Sequence, residues 1–394
     1  MTDAIDEKLL DNWAEEDDVE ESPAKVTSED LSKKYVESQI RVVRSGLDLP
    51  LQVLKDNIGK KDYINISPSF QRRGRWDNKK RSLLIESFLL NIPIPPIFLY
   101  ENTYNQYEVM DGRQRIESIY EFLDNGFYLT GLKYWSELNG YRYKDLPDTI
   151  QRGLLRRTLN AIVLLTETNN IDDVDIRMVL FNRLNTGGIQ LNAHELRNAI
   201  YPSKFNNLIK TLSRSDAFTK LWSIPKKETD EEIRPSRALA KNLLYKSMLD
   251  CELVLRFFSI REAVMGLYKG SLRSILDKSM QNHQEDDDKT CKANELIFIE
   301  SLNTLSKLFE NNQYIVLPDS KRLSRPLYDA LTVACSLAIE RSDLNPEIDV
   351  KARLEESLRN EDDYETLIGR GNTLLAIKDR VKLAYKILTD KEFV

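Results

Sequence analysis

Five consecutive residues, Asp111-Gly112-Arg113-Gln114-Arg115, bring together a carboxylate, a glycine, an amide and two guanidinium groups. Tyr107-Glu108-Val109-Met110 before them alternates like a strand, and Ile116, Ile119, Tyr120 and Leu123 after them mark one apolar helix face. The arginines therefore fall in the first turn of a helix. A helix N-terminus carries about half a positive charge and favours acids by roughly 0.3–1 kcal/mol each. Arginines gathered there fit an anion seat, because the exposed backbone N–H groups already point at one. An ordinary cap is the alternative. Asp111 reads as an N-cap, Asp111 with Gln114 fits a capping box, and Gly112 eases the turn. On these five residues alone the two readings weigh the same.

A second basic stretch is Phe70-Gln71-Arg72-Arg73-Gly74-Arg75-Trp76, and from Arg72 to Arg81 six basic residues stand against one acid, Asp77. Arginine suits phosphate because its planar fork grips two oxygens at once. Arg73, Arg75, Lys79, Lys80 and Arg81 are the candidate contacts to a nucleic-acid backbone. A solvated surface anchored by Trp76 is the plainer reading. A third conspicuous stretch, Phe181 to Gly188, closes a helix with Asn185-Thr186-Gly187-Gly188. Glycine past a helix is a stop signal, and two of them also let a loop approach a ligand closely. Of the two histidines, His194 reads as a structural hydrogen-bonding residue, and His283 falls in a polar loop, Gln281 to Lys292, without a partner motif.

The elements that must hold these residues can be read from periodicity. Helix signals open at Ser28 and cover Pro50 to Asn57, Asn78 to Asn91, Asp148 to Thr158 and Asp172 to Asn185. Strand signals cover Ile40 to Arg44, Tyr63 to Ile66, Ile97 to Tyr100 and Asn160 to Thr166. Leu83, Leu84, Phe88 and Leu89 form the buried side of the second of these long helices, which Pro93, Pro95 and Pro96 end. The Asp148 helix carries Arg152, Arg156 and Arg157, and the Asp172 helix puts Ile176, Val179, Leu180 and Leu184 at core spacing. Asn192 caps a further helix through Ala199. Beyond Tyr201 strand signals nearly vanish, and faces such as Leu327, Leu331, Ala334, Ala338 and Leu374, Ile377, Val381, Tyr385 recur at helical spacing. The expectation is an α+β fold: an acidic, disordered arm over 1–30, an α+β domain over 31–215, and a mainly helical domain over 216–394.

Composition narrows the function classes. The longest apolar runs, such as Ala161 to Leu165, fall far short of the roughly 20 residues that span a bilayer. The start of the chain is acidic and lacks the apolar core of a signal peptide. Three cysteines without paired spacing point to a reducing, cytoplasmic setting. The net charge is −6, yet residues 1–30 hold twelve acids and two lysines, so the remainder carries about +4. A mildly basic body is compatible with nucleotide or nucleic acid.

Several separated motifs in order carry a family resemblance. Phe70-Gln71-Arg72, a leucine-rich helix and proline-bracketed strand from Leu83 to Leu99, Asp111 to Arg115, Asn185 to Gly188, Leu191-Asn192 and Glu195-Leu196-Arg197 follow one another over roughly residues 35–215. In this the chain resembles the N-terminal domain family of GmrSD-type, modification-dependent restriction endonucleases, whose fold is ParB/sulfiredoxin-like. The family signature is Asp-Gly-Gln-Gln-Arg; here Arg113 stands in place of the first glutamine, which leaves nucleotide preference open.

The resemblance implies a domain that binds a nucleoside triphosphate, with or without Mg²⁺ and with or without hydrolysing it. It implies work alongside a separate nuclease subunit against foreign DNA. Carried over, Asp111 would position the turn or a metal-held water and is the candidate catalytic residue. Arg72 and Arg115 would contact phosphates, Gln71 and Gln114 would orient them, Asn185 would line the pocket, and Gly112 and Arg113 complete the nucleotide-binding set. No dedicated metal site and no histidine-centred nuclease motif is legible. The alternatives are a DNA-binding module without nucleotide chemistry, for which Arg152 to Arg157 would also track phosphates, and a nuclease acting through the ParB-like pocket.

Overall fold

The computed structural model describes residues 27–37, 42–57, 63–65, 76–166, 170–171, 174–184, 192–229, 231, 235–309, 314–317, 322–369, 371 and 373–393. The acidic arm up to residue 26, Phe70 to Arg75 and Asn185 to Leu191 lie outside them. The chain divides into two compact units at Leu196/Arg197.

The first unit is α+β. Its elements are α1 (Ser28–Glu37), β1 (Val42–Pro50), α2 (Leu51–Asn57), β2 (Ile64–Asn65), α3 (Asn78–Leu89), β3 (Ile97–Thr103), β4 (Gln106–Asp111), α4 (Arg113–Leu123), α5 (Asp148–Leu155), β5 (Thr158–Thr166), β6 (Asn170–Ile171), β7 (Val174–Asp175) and α6 (Ile176–Leu184). Five strands form one sheet in the order β1-β5-β3-β4-β2, and β6 and β7 form a separate small hairpin. β5 runs antiparallel to β1 over nine residues and parallel to β3, so it is one of the sheet's three inner strands. Of its apolar run, Ala161, Val163 and Leu164 are buried, Ile162 is half-buried and Leu165 is exposed. Leu49, Phe88, Leu99, Ile116, Phe122 and Val163 belong to a single core between sheet and helices.

Several sequence expectations are sharpened here. α3 turns Ser82, Leu84, Ile85, Glu86 and Phe88 inward, while Leu83 and Leu89 are only half-buried. The inward face is therefore one that carries polar Ser82 and Glu86, which hydropathy spacing passes over. Arg156 and Arg157 are not helical: α5 ends at Leu155, Arg156 caps it, and Arg157 gives its carbonyl to the Leu51 amide and donates to Asn91 Oδ1 at 2.7 Å. α6 begins at Ile176, after the β6–β7 hairpin, and Val179, Leu180 and Leu184 are half-buried beside buried Ile176 and Phe181.

The second unit is helical. The boundary falls within α7 (Ala193–Ile200), and α8 to α18 span Lys204–Leu212, Asp216–Leu221, Arg237–Lys241, Leu243–Lys246, Leu249–Val264, Leu272–Asn282, Asp288–Leu308, Arg325–Glu340, Val350–Arg359, Glu361–Ile368 and Leu374–Thr389. Among the described residues its only β pairing is an isolated bridge, Val316 to Leu323. α12 (Leu249–Val264) and α15 (Arg325–Glu340) are buried nearly all round and are joined by Arg256, whose Nε donates to Asp329 Oδ1 at 3.2 Å. The expected face through Leu327, Leu331, Ala334 and Ala338 is buried, and of the other Ile377, Val381 and Tyr385 are buried while Leu374 is half-buried.

The polar loop expected over Gln281 to Lys292 is mostly helix. α13 (Leu272–Asn282) ends at His283, and α14 (Asp288–Leu308) starts after Asp287, whose side chain accepts from the Thr290 amide. His283 has partners after all: its Nε2 pairs with Glu262 Oε1 and its Nδ1 with Asp286 Oδ2, both at 2.7 Å, and its ring stacks on Phe205. Burial works to lower the His283 pKa, but hydrogen bonds and charge from Glu262 and Asp286 outweigh it and raise the pKa above its ordinary value. No helix among the described residues is long and apolar enough to cross a membrane.

Candidate functional site

The strand-to-helix turn at Asp111 is built around Gly112. Its φ of +93° lies in the left-handed region, and a Cβ there would sit 2.2 Å from Ile97 Cγ2 and 2.8 Å from Ile97 Cβ. Ile97 opens β3 and is fully buried, so the turn is pressed against the neighbouring strand as closely as a backbone allows. Phe98 pairs with Asp111 in the β3–β4 ladder, which fixes the end of β4 at this height.

Gly112, not Asp111, is the N-cap of α4, and the cap carries no side-chain hydrogen bond. The capping box expected between Asp111 and Gln114 is therefore not formed. Asp111 still belongs to the strand, and its carboxylate goes to a different partner: Arg115 Nη2 donates to Asp111 Oδ2 at 2.6 Å. Arg115 Nη1 donates to the Pro95 carbonyl and, at 3.3 Å, to the Pro96 carbonyl. The guanidinium thus ties the proline-bracketed lead into β3 to the end of β4 and the start of α4. Its side chain is only 14% exposed. A capping box does occur at Asn192, whose side chain accepts from the Glu195 amide at 2.8 Å while Glu195 accepts from the Asn192 amide at 3.0 Å.

Arg113 faces another way. Its Nε donates to Glu117 Oε1 at 2.6 Å, one helical turn on, and no acid stands in the first turn of α4. Gln114 occupies the same turn and is half-buried. Gln71, Arg72 and Asn185, the other members of the expected nucleotide set, lie outside the described residues, as do Arg73 and Arg75.

The basic residues of α3 separate into two kinds. Lys79 and Lys80 are exposed; the Lys80 ammonium lies 5.4 Å from the centre of the Trp76 ring, and the Lys79 stem lies against Gly131. Arg81 turns inward, pairing with Glu121 of α4 and lying 4.1 Å over the Phe127 ring. Asp77 caps this helix by accepting from the Lys80 amide at 2.8 Å.

Two buried acids escaped the sequence reading. Glu86 Oε1 accepts from three successive backbone amides, Lys133, Tyr134 and Trp135, at 2.9, 2.7 and 3.0 Å. It holds the loop after α4 onto α3 as an anion in a ring of N–H groups. Glu108, on β4, is buried and lies 3.7 Å from Arg177 Nη1 of α6. The only sequence signal for either is an acid inside an apolar stretch. Among the described residues no group of three or more His, Cys, Asp or Glu could hold a metal ion.

Residues 52–202 match the family model described as GmrSD restriction endonuclease, N-terminal domain. The GmrSD-type match covers the sheet from α2 onward, the Gly112 turn, α6 and all of α7, and so takes in the motifs on which the resemblance was drawn. No curated protein and no solved structure gave a match.

Proposed function

We propose that the chain is the nucleotide-binding component of a cytoplasmic, DNA-targeting restriction system, with a ParB/sulfiredoxin-like module at its N-terminal side. The observation that carries the reading is the Gly112 turn. A strand ends there, a helix starts without a side-chain cap, and its first turn holds Arg113 and Arg115 but no acid. Helix N-termini bind anions through their backbone N–H groups and their dipole. Arg115, held by Asp111 and two carbonyls, contributes a fixed positive charge and the shape of the turn. Arg113, paired with Glu117 one helical turn on, is the second guanidinium of that first turn. Gln71, Arg72 and Asn185 would complete the set.

Binding is favoured over turnover. Asp111 is the one acid of the turn, and it is engaged by Arg115 at 2.6 Å. With no cluster of metal-ligating side chains among the described residues, these residues do not by themselves fit a Mg²⁺ site, and no hydrolytic step is derived through one. Exposed Lys79 and Lys80 beside Trp76 favour DNA as a second ligand, with a nuclease subunit supplying strand cleavage.

Calorimetric titration with each of the four nucleoside triphosphates, with and without Mg²⁺, tests the reading. Wild type should bind at least one of them, and Arg113→Ala and Arg72→Ala should weaken that binding about tenfold or more, with circular dichroism checking that each variant folds. Absence of binding for all four sinks the proposal; unaltered binding in both variants sinks the site. A DNA titration at two salt concentrations tests the second ligand, whose affinity should fall steeply with salt.

A further inference from the structure

β1 is the end strand of the sheet, and among the described residues nothing pairs with its outer edge. It is also long for an edge strand: all nine residues, Val42 to Pro50, are in register with β5. Edge strands expose a row of backbone donors and acceptors, and proteins usually shorten or guard them. Here Val43, Arg44, Ser45, Gly46 and Asp48 are exposed and Leu47 is half-buried.

Three features of this edge lack an explanation within one chain. Gly46 sits mid-strand, where glycine weakens a strand, yet a Cβ there would meet nothing within 4 Å. A strand glycine often marks the close approach of another backbone. Arg44 and Asp48 flank it at equal distances, and neither makes an ion pair among the described residues. Their β5 neighbours, Leu164 and Asn160, offer no charge. Finally, Val43 is 53% exposed and its β5 partner Leu165 is 43% exposed, side by side on one face.

We infer that β1 pairs antiparallel with β1 of a second copy of this chain, about a two-fold axis at Gly46. An isologous contact of this kind brings residue i opposite the residue equally far on the other side of the axis. Arg44 then stands opposite Asp48 of the second copy, and Asp48 opposite its Arg44, on the face where Gly46 meets Gly46 and leaves them room. On the other face Val43 stands opposite Leu49, and Ser45 opposite Leu47. Every cross-strand pair is opposite in charge, apolar or small. An edge guarded against self-association would place like charges across the axis; this one places unlike charges there. Shifting the register by one residue would put Arg44 against an apolar position and lose both ion pairs.

Sedimentation velocity of the full chain over a concentration series tests the inference. Wild type should associate to a dimer, and Arg44→Glu or Asp48→Arg should raise the dimer dissociation constant about tenfold or more, since each turns two attractive cross-strand pairs into repulsive ones. The double exchange, Arg44→Asp with Asp48→Arg, recreates unlike pairs with reversed polarity and should restore the dimer. Circular dichroism checks that each exposed-site variant folds. The register has its own readout. Opposed residues in an antiparallel pair lie about 4.5–5.5 Å apart between Cα atoms, within disulfide range. In a Cys291→Ser background, Gly46→Cys should therefore oxidise to a covalent dimer and Asp48→Cys should not. A chain that stays monomeric up to about 1 mM overturns the inference. So does a dimer indifferent to charge reversal, or one that cross-links at position 48 and not at 46.

Discussion

Replacing Gly112 by alanine probes the one position on which the geometry of the candidate site depends. The new methyl group meets two obstacles. At φ +93° an L-residue is strained, at a cost of about 1–2 kcal/mol. The Cβ would also stand 2.2 Å from Ile97 Cγ2, inside a fully buried side chain, and overpacking of that kind costs about 1–3 kcal/mol. The sum, about 2–5 kcal/mol, is a large part of the 5–15 kcal/mol by which a domain is stable. Urea unfolding, with amide exchange in β3, β4 and β5 to assign the loss to the α+β unit, measures it. The two contributions can be parted by repeating the substitution in an Ile97→Ala background, where the offending Cγ2 is gone. The cost should then fall but stay above the backbone share of about 1–2 kcal/mol, because alanine at 97 keeps the Cβ that stands 2.8 Å from the new methyl, and the two losses should be non-additive. A loss below about 1 kcal/mol in wild type, or strictly additive losses, would refute the close approach of this turn to Ile97.

Removing Glu86 should unseat the loop from Lys133 to Trp135: Glu86→Ala should cost about 2–4 kcal/mol by denaturant unfolding, with Glu86→Gln intermediate because the amide oxygen can still accept. The buried Arg256–Asp329 pair should behave as a unit; Arg256→Met alone should cost about 3–5 kcal/mol, and adding Asp329→Leu should recover part of it. His283 has a folded pKa raised above its ordinary value, so the folded chain holds that proton more tightly than the unfolded one. Its contribution is complete below about pH 6.5 and is lost as pH rises through the folded pKa. Thermal unfolding of wild type minus His283→Gln should therefore show a difference that is larger at pH 6 than at pH 9, and a difference flat across that range would refute the Glu262–His283–Asp286 clasp.

Much of the α+β unit was legible because its elements obey simple periods. β5 is the strand its apolar run announces, though Asn160 and Leu165 are exposed, and of the expected α4 face Ile116, Ile119 and Leu123 are buried while Tyr120 is half-buried. What escaped was polar and tertiary. The inward face of α3 is half defined by Ser82 and Glu86, which hydropathy counts as solvent-facing, and they are inside because distant amides bind them: Thr130 donates to Ser82, and the Lys133 to Trp135 amides to Glu86. His283 looked unpartnered because Glu262, one of its two partners, is twenty-one residues away on another helix. Of the two caps the pattern offers, at Asp111 and at Asn192, only the second forms, for a related reason. Asp111 and Asn192 both have an acid or amide three residues on, but only Asp111 has an arginine four residues on, and that guanidinium claims its carboxylate. Local pattern proposes a cap; a charged neighbour decides it.

The same contacts divide the signature of the turn into two kinds of residue. Gly112 is required by its φ and by Ile97, Arg115 by the Pro95 and Pro96 carbonyls, and Asp111 by Arg115. Three of the five residues are thus set by the architecture, and any chain that folds this turn against a proline-bracketed strand needs them. Arg113 is held within its own helix instead. Its Nε donates to Glu117 Oε1 at 2.6 Å, one turn on, and the two side chains are only 18% and 29% exposed. Arg113 is also where the chain departs from the family's glutamine. The departure therefore falls on a residue of the helix's first turn, and not on one seen to tie that turn to β3. On this argument exchanging Arg113 for glutamine should alter which anion the turn prefers and cost only its pair with Glu117 along the helix, whereas the same exchange at Arg115 should release the turn from the Pro95 and Pro96 carbonyls whatever it binds.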